Sequence, residues 1–590
     1  MGPLKRLAPL VLVVAASCGG GAEKAPVTTA ASSAGWVARS NANAKLLVDL
    51  NAKYVPEQAS SLGAEGFDDK IVDYAPGHDA RLRTETIRVK GELEALLARE
   101  KDPEVALDLK VLVASADRAI RGSKVHEDHE VPFLNVAELV FGGLHALLED
   151  RVAPARRQAA VTRLARYSGQ GGRALTELAR EETMAALGDT AHKRMPPAKI
   201  EVEKAIQNSS VLTDGIEKLF QKYGLEGYEA PFAAYKTQLA AYQKWMETEL
   251  LPKTRADFRL APEVYAMRLE EVGVDLAPPA VAALGHQGFD AIQAEMKPLA
   301  AKIAKDRGLP SADYRDVVRV LKKEQVVGAD ILPLYEKTLA EIERIIVREH
   351  LVTLPKRAAK IRLATEAESA ALPSPYLDPP RLIGNTGEQA EFVLPLSVPP
   401  RPGEKDTKLT DFTNASAAWT LTAHEARPGH ELQYASMIES GVSNARAIFA
   451  FNSANVEGWG LYAEYITCPY MPPEGQLLSL ALRLQRAARA FLDPELQLGK
   501  VTPDEARALL VRDVAVSPAL ANSEVERYTF KMPGQATSYY YGLTRLLAIR
   551  QDVTMRLGPR FNLQRFDDFV ISKGVLPPAL LREAATSELR

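Results

Sequence analysis

The stretch "TAHEARPGHELQ", Thr422 to Gln433, carries two histidines and a glutamate in an order that suggests metal chemistry. In the metal-binding pattern H-E-x-x-H the histidines lie four apart on one helix, a rotation of about 400°, so both rings face one ion. Here His424 and His430 are six apart. On an unbroken helix that is about 600°, which leaves the rings about 240° apart and unable to share a metal. Pro428 and Gly429 change the geometry, because proline removes a backbone donor and clashes with the preceding turn while glycine tolerates dihedrals closed to other residues. If the pair is accommodated as a bulge of two extra residues, His430 returns to the face of His424, and Glu425 points at a metal-bound water. The same residues also read as a helix end carrying two surface histidines. Both readings stay open at this level.

A third ligand is offered downstream by "ANVEGWGLYAEY", which holds Glu457 and Glu464. Seven residues bring the two carboxylates back to nearly one helix face but about 10 Å apart along the axis, too far to bind one ion together. One can ligate; the other can at most stand behind a ligand. For Glu464 a solvated or capping carboxylate is the alternative. The cluster "HEDHE", His126 to Glu130, has no further ligands nearby in sequence and reads as an acidic solvated loop.

The elements that must position these residues are helical. Apolar residues recur at three- and four-residue spacing in "ELEALLARE", "PFLNVAELVFGGLHALLED", "AAYKTQLAAYQKWMETEL" and "LYEKTLAEIERIIVREH". The exception is Ala371 to Gly403, where prolines forbid a long helix and "EFVLPLSV" alternates well enough for a short edge strand. Such a strand beside a metal helix could align a substrate backbone by strand addition, or it could be part of a connecting loop.

The blocks HEARPGH, EGWGLYAE and "EVERYTFKMPGQATSYYYG" (Glu524 to Gly542), in that order, resemble a large, mostly uncharacterised bacterial family catalogued as a domain of unknown function. Its members are typically secreted or lipid-anchored and carry an H-E-x-x-P-G-H motif. That family in turn resembles the helical gluzincins, zinc peptidases that include angiotensin-converting enzyme, thimet-type oligopeptidases and Taq-type carboxypeptidases. The Pro-Gly insertion departs from those better-known peptidases.

The resemblance implies a mainly α, two-lobed zincin-like body with a short edge sheet beside the active-site helix. A substrate-cleft lobe would span 41–370 and a zinc-binding lobe 371–590. One Zn2+ would be held by His424, His430 and Glu457, with Glu464 behind them and Glu425 as general base. A late tyrosine would donate to the oxyanion: Tyr539 matches best, with Tyr540 and Tyr541 as neighbours that could replace it. Tyr540 and Arg527 would contact substrate, the latter through a carboxylate. The expected activity is hydrolysis of peptide bonds outside the cytoplasm. A lipid-anchored peptide-binding protein without chemistry and a zinc amidase acting on cell-wall links are the alternatives.

Bulk properties point to export and against a nucleic-acid partner. The chain has 590 residues, 73 Lys plus Arg against 76 Asp plus Glu, and no long run of one sign. Lys5 and Arg6 precede the apolar run "LAPLVLVVAA", which outlines a signal peptide over 1–17. The run is far shorter than the roughly 20 residues that cross a bilayer. "VAASC" resembles a lipobox, with Cys18 as the acylated residue and 18–40 as a flexible tether that anchors the body to the membrane. Acylation of Cys18 would leave Cys468 without a partner in the chain, as a buried apolar filler.

Overall fold

Side-chain caps start many of the helices that the periodicity predicts. Asp102 accepts from the Glu104 N–H ahead of the helix Pro103–His129, and Thr502 and Glu505 form a reciprocal capping box ahead of Pro503–Arg512. Asn414 and Asn452 play the same part for two helices of the histidine region. The computed structural model describes residues 34–150, 152–364, 374–385, 387–395, 397–398, 407–408 and 411–590. The protein is mainly α. Among the described residues no helix is long and apolar enough to cross a membrane.

The chain divides into two compact units. One holds the described residues up to Val264 with Arg381–Glu388 and Ser443–Phe449; the other comprises Tyr265–Pro380, Gln389–Val442 and Ala450–Arg590. The unit containing the histidine motif therefore reaches further toward the N-terminus than the 371–590 segment expected to form the metal lobe. The first unit is a helical body whose core includes Val140, Leu144, Leu164, Ile216, Phe220 and Trp245. Here "HEDHE" is no loop. It forms the end of the helix Pro103–His129, where His126 is fully buried and its Nδ1 lies 2.6 Å from Glu130.

The proposed signal peptide, Cys18 and most of the tether lie outside the described residues. The last part of the tether is corrected: the helix Ala34–Tyr54 begins before residue 41. Ser40, Ala44, Leu47 and Leu50 are buried at helical spacing, and Trp36 packs 4.7 Å from the Arg446 guanidinium, so this segment has a face to bury.

In the second unit, "EFVL" does form a strand, but not an edge. Strand β1 (Lys360–Leu363) pairs in parallel with β3 (Glu391–Leu394), and β2 (Tyr376–Asp378) pairs antiparallel on its other side. With both sides of β3 paired, it cannot receive a substrate backbone. Phe392, Val393 and Leu394 are all buried, the pattern of a strand covered on both faces rather than a half-exposed edge. Both β2 and β3 pack against the turn that carries His424.

Candidate metal centre

The histidine motif is built from two helices and a break. Ala415–Leu421 runs into a wider π-helical turn, Thr422–Ala426, and a new helix, His430–Ser440, starts at the second histidine. The expected bulge within one helix is therefore corrected to a full interruption. Arg427–Pro428 is a cis peptide, and Gly429 doubles back so tightly that a Cβ there would strike the His424 and Ala423 carbonyl oxygens. Trp459 fastens the break: its indole N–H donates to the carbonyls of Pro428 (3.0 Å) and Gly429 (3.2 Å). Arg427, almost fully buried, donates to Glu431 (2.7 Å), Glu343 (2.6 Å) and the Arg357 carbonyl (2.5 Å).

The interruption brings the two rings together. Their centroids are 4.7 Å apart and their planes nearly perpendicular. Glu457, on the helix Ser453–Thr467, places Oε2 3.4 Å from His424 Nε2 and 3.5 Å from His430 Nε2. One ligand atom from each of the three residues lies within 4.8 Å of the others. Zinc bonds of about 2.0–2.1 Å at tetrahedral angles put ligand atoms about 3.3 Å apart, so the two imidazole–carboxylate spacings fit that ion.

Glu464 stands behind the cluster. It accepts from His424 Nδ1 (2.7 Å) and from the Thr420 hydroxyl (2.6 Å), which keeps the Nδ1 proton in place and leaves Nε2, on the side of Glu457, as the nitrogen that would give up its proton to a metal ion. Gly460 lies between the two glutamates on the same face, where a Cβ would come 2.6 Å from His424 Cε1 and 2.9 Å from His430 Cε1. The residue has to be glycine for both rings to fit.

Burial alone would lower the basicity of His424, but Glu457 and Glu464 reverse this and raise its pKa to about 9. Burial would likewise raise Glu457, yet the two histidines hold it well below the usual carboxylate range. Glu425 is 8 % exposed, and burial pushes its carboxyl up against the pull of both histidines.

Of the three tyrosines only Tyr539 is brought to the cluster. Its ring stacks on His424 with centroids 6.4 Å apart. The crossing of Ser453–Thr467 with Ser538–Leu557 allows this approach, because Gly458 meets Gly542 there and a Cβ on either would hit the opposite backbone. Burial raises the Tyr539 phenol, so it keeps its proton, although Arg527 and Arg489 pull the other way. Tyr541 donates to Asp275 (2.6 Å). Tyr540 lies over Gly288 rather than beside the histidines, so its expected contact with substrate is not supported by its place. Arg527 is occupied: it donates to Gln535 Oε1 and, at 3.1 Å, to the Tyr539 hydroxyl. Cys468 is only partly buried and free.

Sequence reasoning missed Trp459, Gly460, Thr420, Arg427 and the arginines of the helix Pro473–Gln497. Only Gly460 left a signal, its helical spacing between Glu457 and Glu464.

Residues 56–584 match the family model described as "Bacterial protein of unknown function (DUF885)". The chain belongs to this family. Two solved structures share the fold of this DUF885 protein. A "putative lipoprotein" from Colwellia psychrerythraea is 18% identical with a TM-score of 0.75, covering 93% of this chain and 99% of that one. A "putative lipoprotein of unknown function" from Shewanella oneidensis is 20% identical with a TM-score of 0.70, covering 95% and 100%. A "putative oligoendopeptidase F" from Bacillus anthracis str. Ames reaches a TM-score of 0.32 at 12% identity, over 93% of this chain and 86% of that one, too low to carry an argument. No curated protein matches the chain.

Proposed function

We propose that this DUF885 protein is a zinc-dependent peptidase of the bacterial cell envelope, held to a membrane by a lipid on Cys18. The observation that carries the reading is the convergence of buried His424 and His430 with the partly exposed Glu457, backed by Glu464. Two imidazoles and one carboxylate are the donor set of catalytic zinc sites that keep a position open. The anchor is supported by the N-terminal sequence and by the lipoprotein descriptions of the two relatives.

When bound, zinc supplies an acidified water and polarises a carbonyl. Glu425, whose basicity is raised by burial, takes the proton from the attacking water and returns it to the leaving amine. Tyr539 donates its hydroxyl hydrogen to the developing oxyanion. Because Arg527 donates to the Tyr539 oxygen, that hydrogen is left free to point at substrate. Glu464 keeps His424 in the tautomer that presents Nε2.

The test is metal analysis of the purified mature protein with turnover of a mixed peptide library. Stoichiometric zinc, and turnover abolished in Glu425→Ala with zinc retained, are expected. Full activity in a metal-free preparation would end the reading. Peptide binding without turnover would favour the non-catalytic binding protein, and turnover of cell-wall amides alone would favour the amidase.

A further inference from the structure

The three arginines around Tyr539 outnumber the carboxylates paired with them. From its ring centroid Arg489 lies 4.5 Å away, Arg527 5.3 Å and Arg486 5.9 Å. Arg489 makes two 2.7 Å bonds to Glu524 and leaves only Nη1 without a partner, and Arg527 is met by Gln535 and Tyr539, with Glu524 3.9 Å away.

Arg486 has no such partner. Its hydrogen bonds are long, 3.4 Å to the Leu482 carbonyl and 3.4 Å to Gln485 Oε1, and its Nε has none. No carboxylate pairs with it among the described residues, although it is only 7 % exposed. The acids whose charge reaches it are Glu425, Glu464 and Glu524. Glu464 is held by His424 and Thr420, and Glu524 by Arg489 and the Tyr528 hydroxyl at 2.5 Å. One turn earlier on the same helix, Arg483 is equally buried, and its Nε and Nη2 lack partners. A buried guanidinium is ordinarily met by a carboxylate, because leaving the charge unpaired in a poorly solvated site is costly.

We propose that Arg486 receives a carboxylate of the substrate beside Tyr539, and so makes the chain selective for peptides that carry a negative charge near the scissile bond. The planar fork of the guanidinium suits either a free C-terminal carboxylate or an Asp or Glu side chain. The proposal rests on the peptidase reading above and adds the substrate class. It also transfers to Arg486 the carboxylate-binding part that the sequence assigned to Arg527.

The experiment compares kcat/KM of the zinc-loaded mature protein on N-terminally blocked pentapeptides of neutral side chains, as the free acid, as the C-terminal amide, and as amides with one glutamate at each position in turn. The wild type is expected to prefer a carboxylate-bearing peptide over the neutral amide by roughly 10- to 100-fold. Preference for the free acid identifies the terminal group, and preference for a glutamate amide the side chain. Arg486→Gln is expected to bring the ratio of kcat/KM between the preferred peptide and the neutral amide down to about one. Arg486→Lys should recover part of the loss.

Equal rates on all peptides in the wild type overturn the proposal while leaving the peptidase intact. So does an equal loss on all peptides in Arg486→Gln, the result expected if this arginine only balances the charge of Glu425 and Glu464. If the wild type cleaves none of them, the peptidase reading fails separately. Calorimetric titration with the same peptides then decides on Arg486: tighter binding of a carboxylate-bearing peptide that is lost in Arg486→Gln supports it, and equal binding refutes it. Circular dichroism of each variant confirms folding.

Discussion

Replacing Gly460 with alanine puts a methyl group where two imidazoles now lie. The new Cβ would be 2.6 Å from His424 Cε1, 2.8 Å from its Nε2 and 2.9 Å from His430 Cε1, against 3.4–4 Å for ordinary van der Waals contact. Each ring must retreat by at least half an ångström. Metal–ligand distances tolerate only about 0.2 Å of departure, so the displacement takes an imidazole out of bonding range or strains the set. A loss of zinc affinity of about 100-fold is expected, the upper end of what altered metal surroundings produce. At fixed excess zinc that removes about 2.7 kcal/mol of zinc-linked stabilisation. The backbone works in the opposite direction, since alanine in mid-helix is favoured over glycine by up to about 1 kcal/mol, so the metal-free protein should lose far less. The assay is competition with a chromogenic chelator, together with thermal denaturation with and without zinc. Wild-type zinc affinity and an unchanged zinc-induced rise in Tm in Gly460→Ala would falsify the placement of the two rings.

Three further outcomes follow from the same geometry. Glu464→Gln removes the acceptor behind His424 and should weaken zinc about 10- to 100-fold with the fold intact, by the same competition. Trp459→Phe deletes the N–H that holds the Pro428 and Gly429 carbonyls and should cost about 1–3 kcal/mol in urea denaturation. Asp493 takes bonds from the Gly534 N–H (2.9 Å) and the Tyr265 hydroxyl (2.8 Å), yet burial pushes its carboxyl up to about 7. Its unfolded value is about 4, so the native state holds the extra proton between those values. Its contribution to stability is full below pH about 4, declines as pH rises to about 7 and is absent above. Asp493→Asn should remove that part of the decline, read from urea denaturation at pH 5 and pH 8.

How much was legible varied with the kind of interaction. Helical periodicity and caps are local, so the mainly α class could be read from runs such as "LYEKTLAEIERIIVREH". The sequence missed the central place of Glu391–Leu394, because an edge and a covered strand differ in what lies beside them rather than in four residues of pattern. It also missed the start of the first helix at Ala34, whose buried face depends on the distant Arg446.

At the centre itself, residue types and spacing by themselves named His424, Glu425, His430, Glu457 and Glu464 as candidates and left open whether they converge. Tertiary structure alone decided that the Pro-Gly pair ends one helix and lets the next begin at His430. It also chose Tyr539 over its neighbours and, among the described residues, left Arg486 without a carboxylate. Each of those outcomes depends on contacts between segments far apart in the chain: an indole on two carbonyls, a glycine-to-glycine crossing, and a carboxylate already taken by another arginine. Such contacts form only when the helices pack, and no local pattern encodes them.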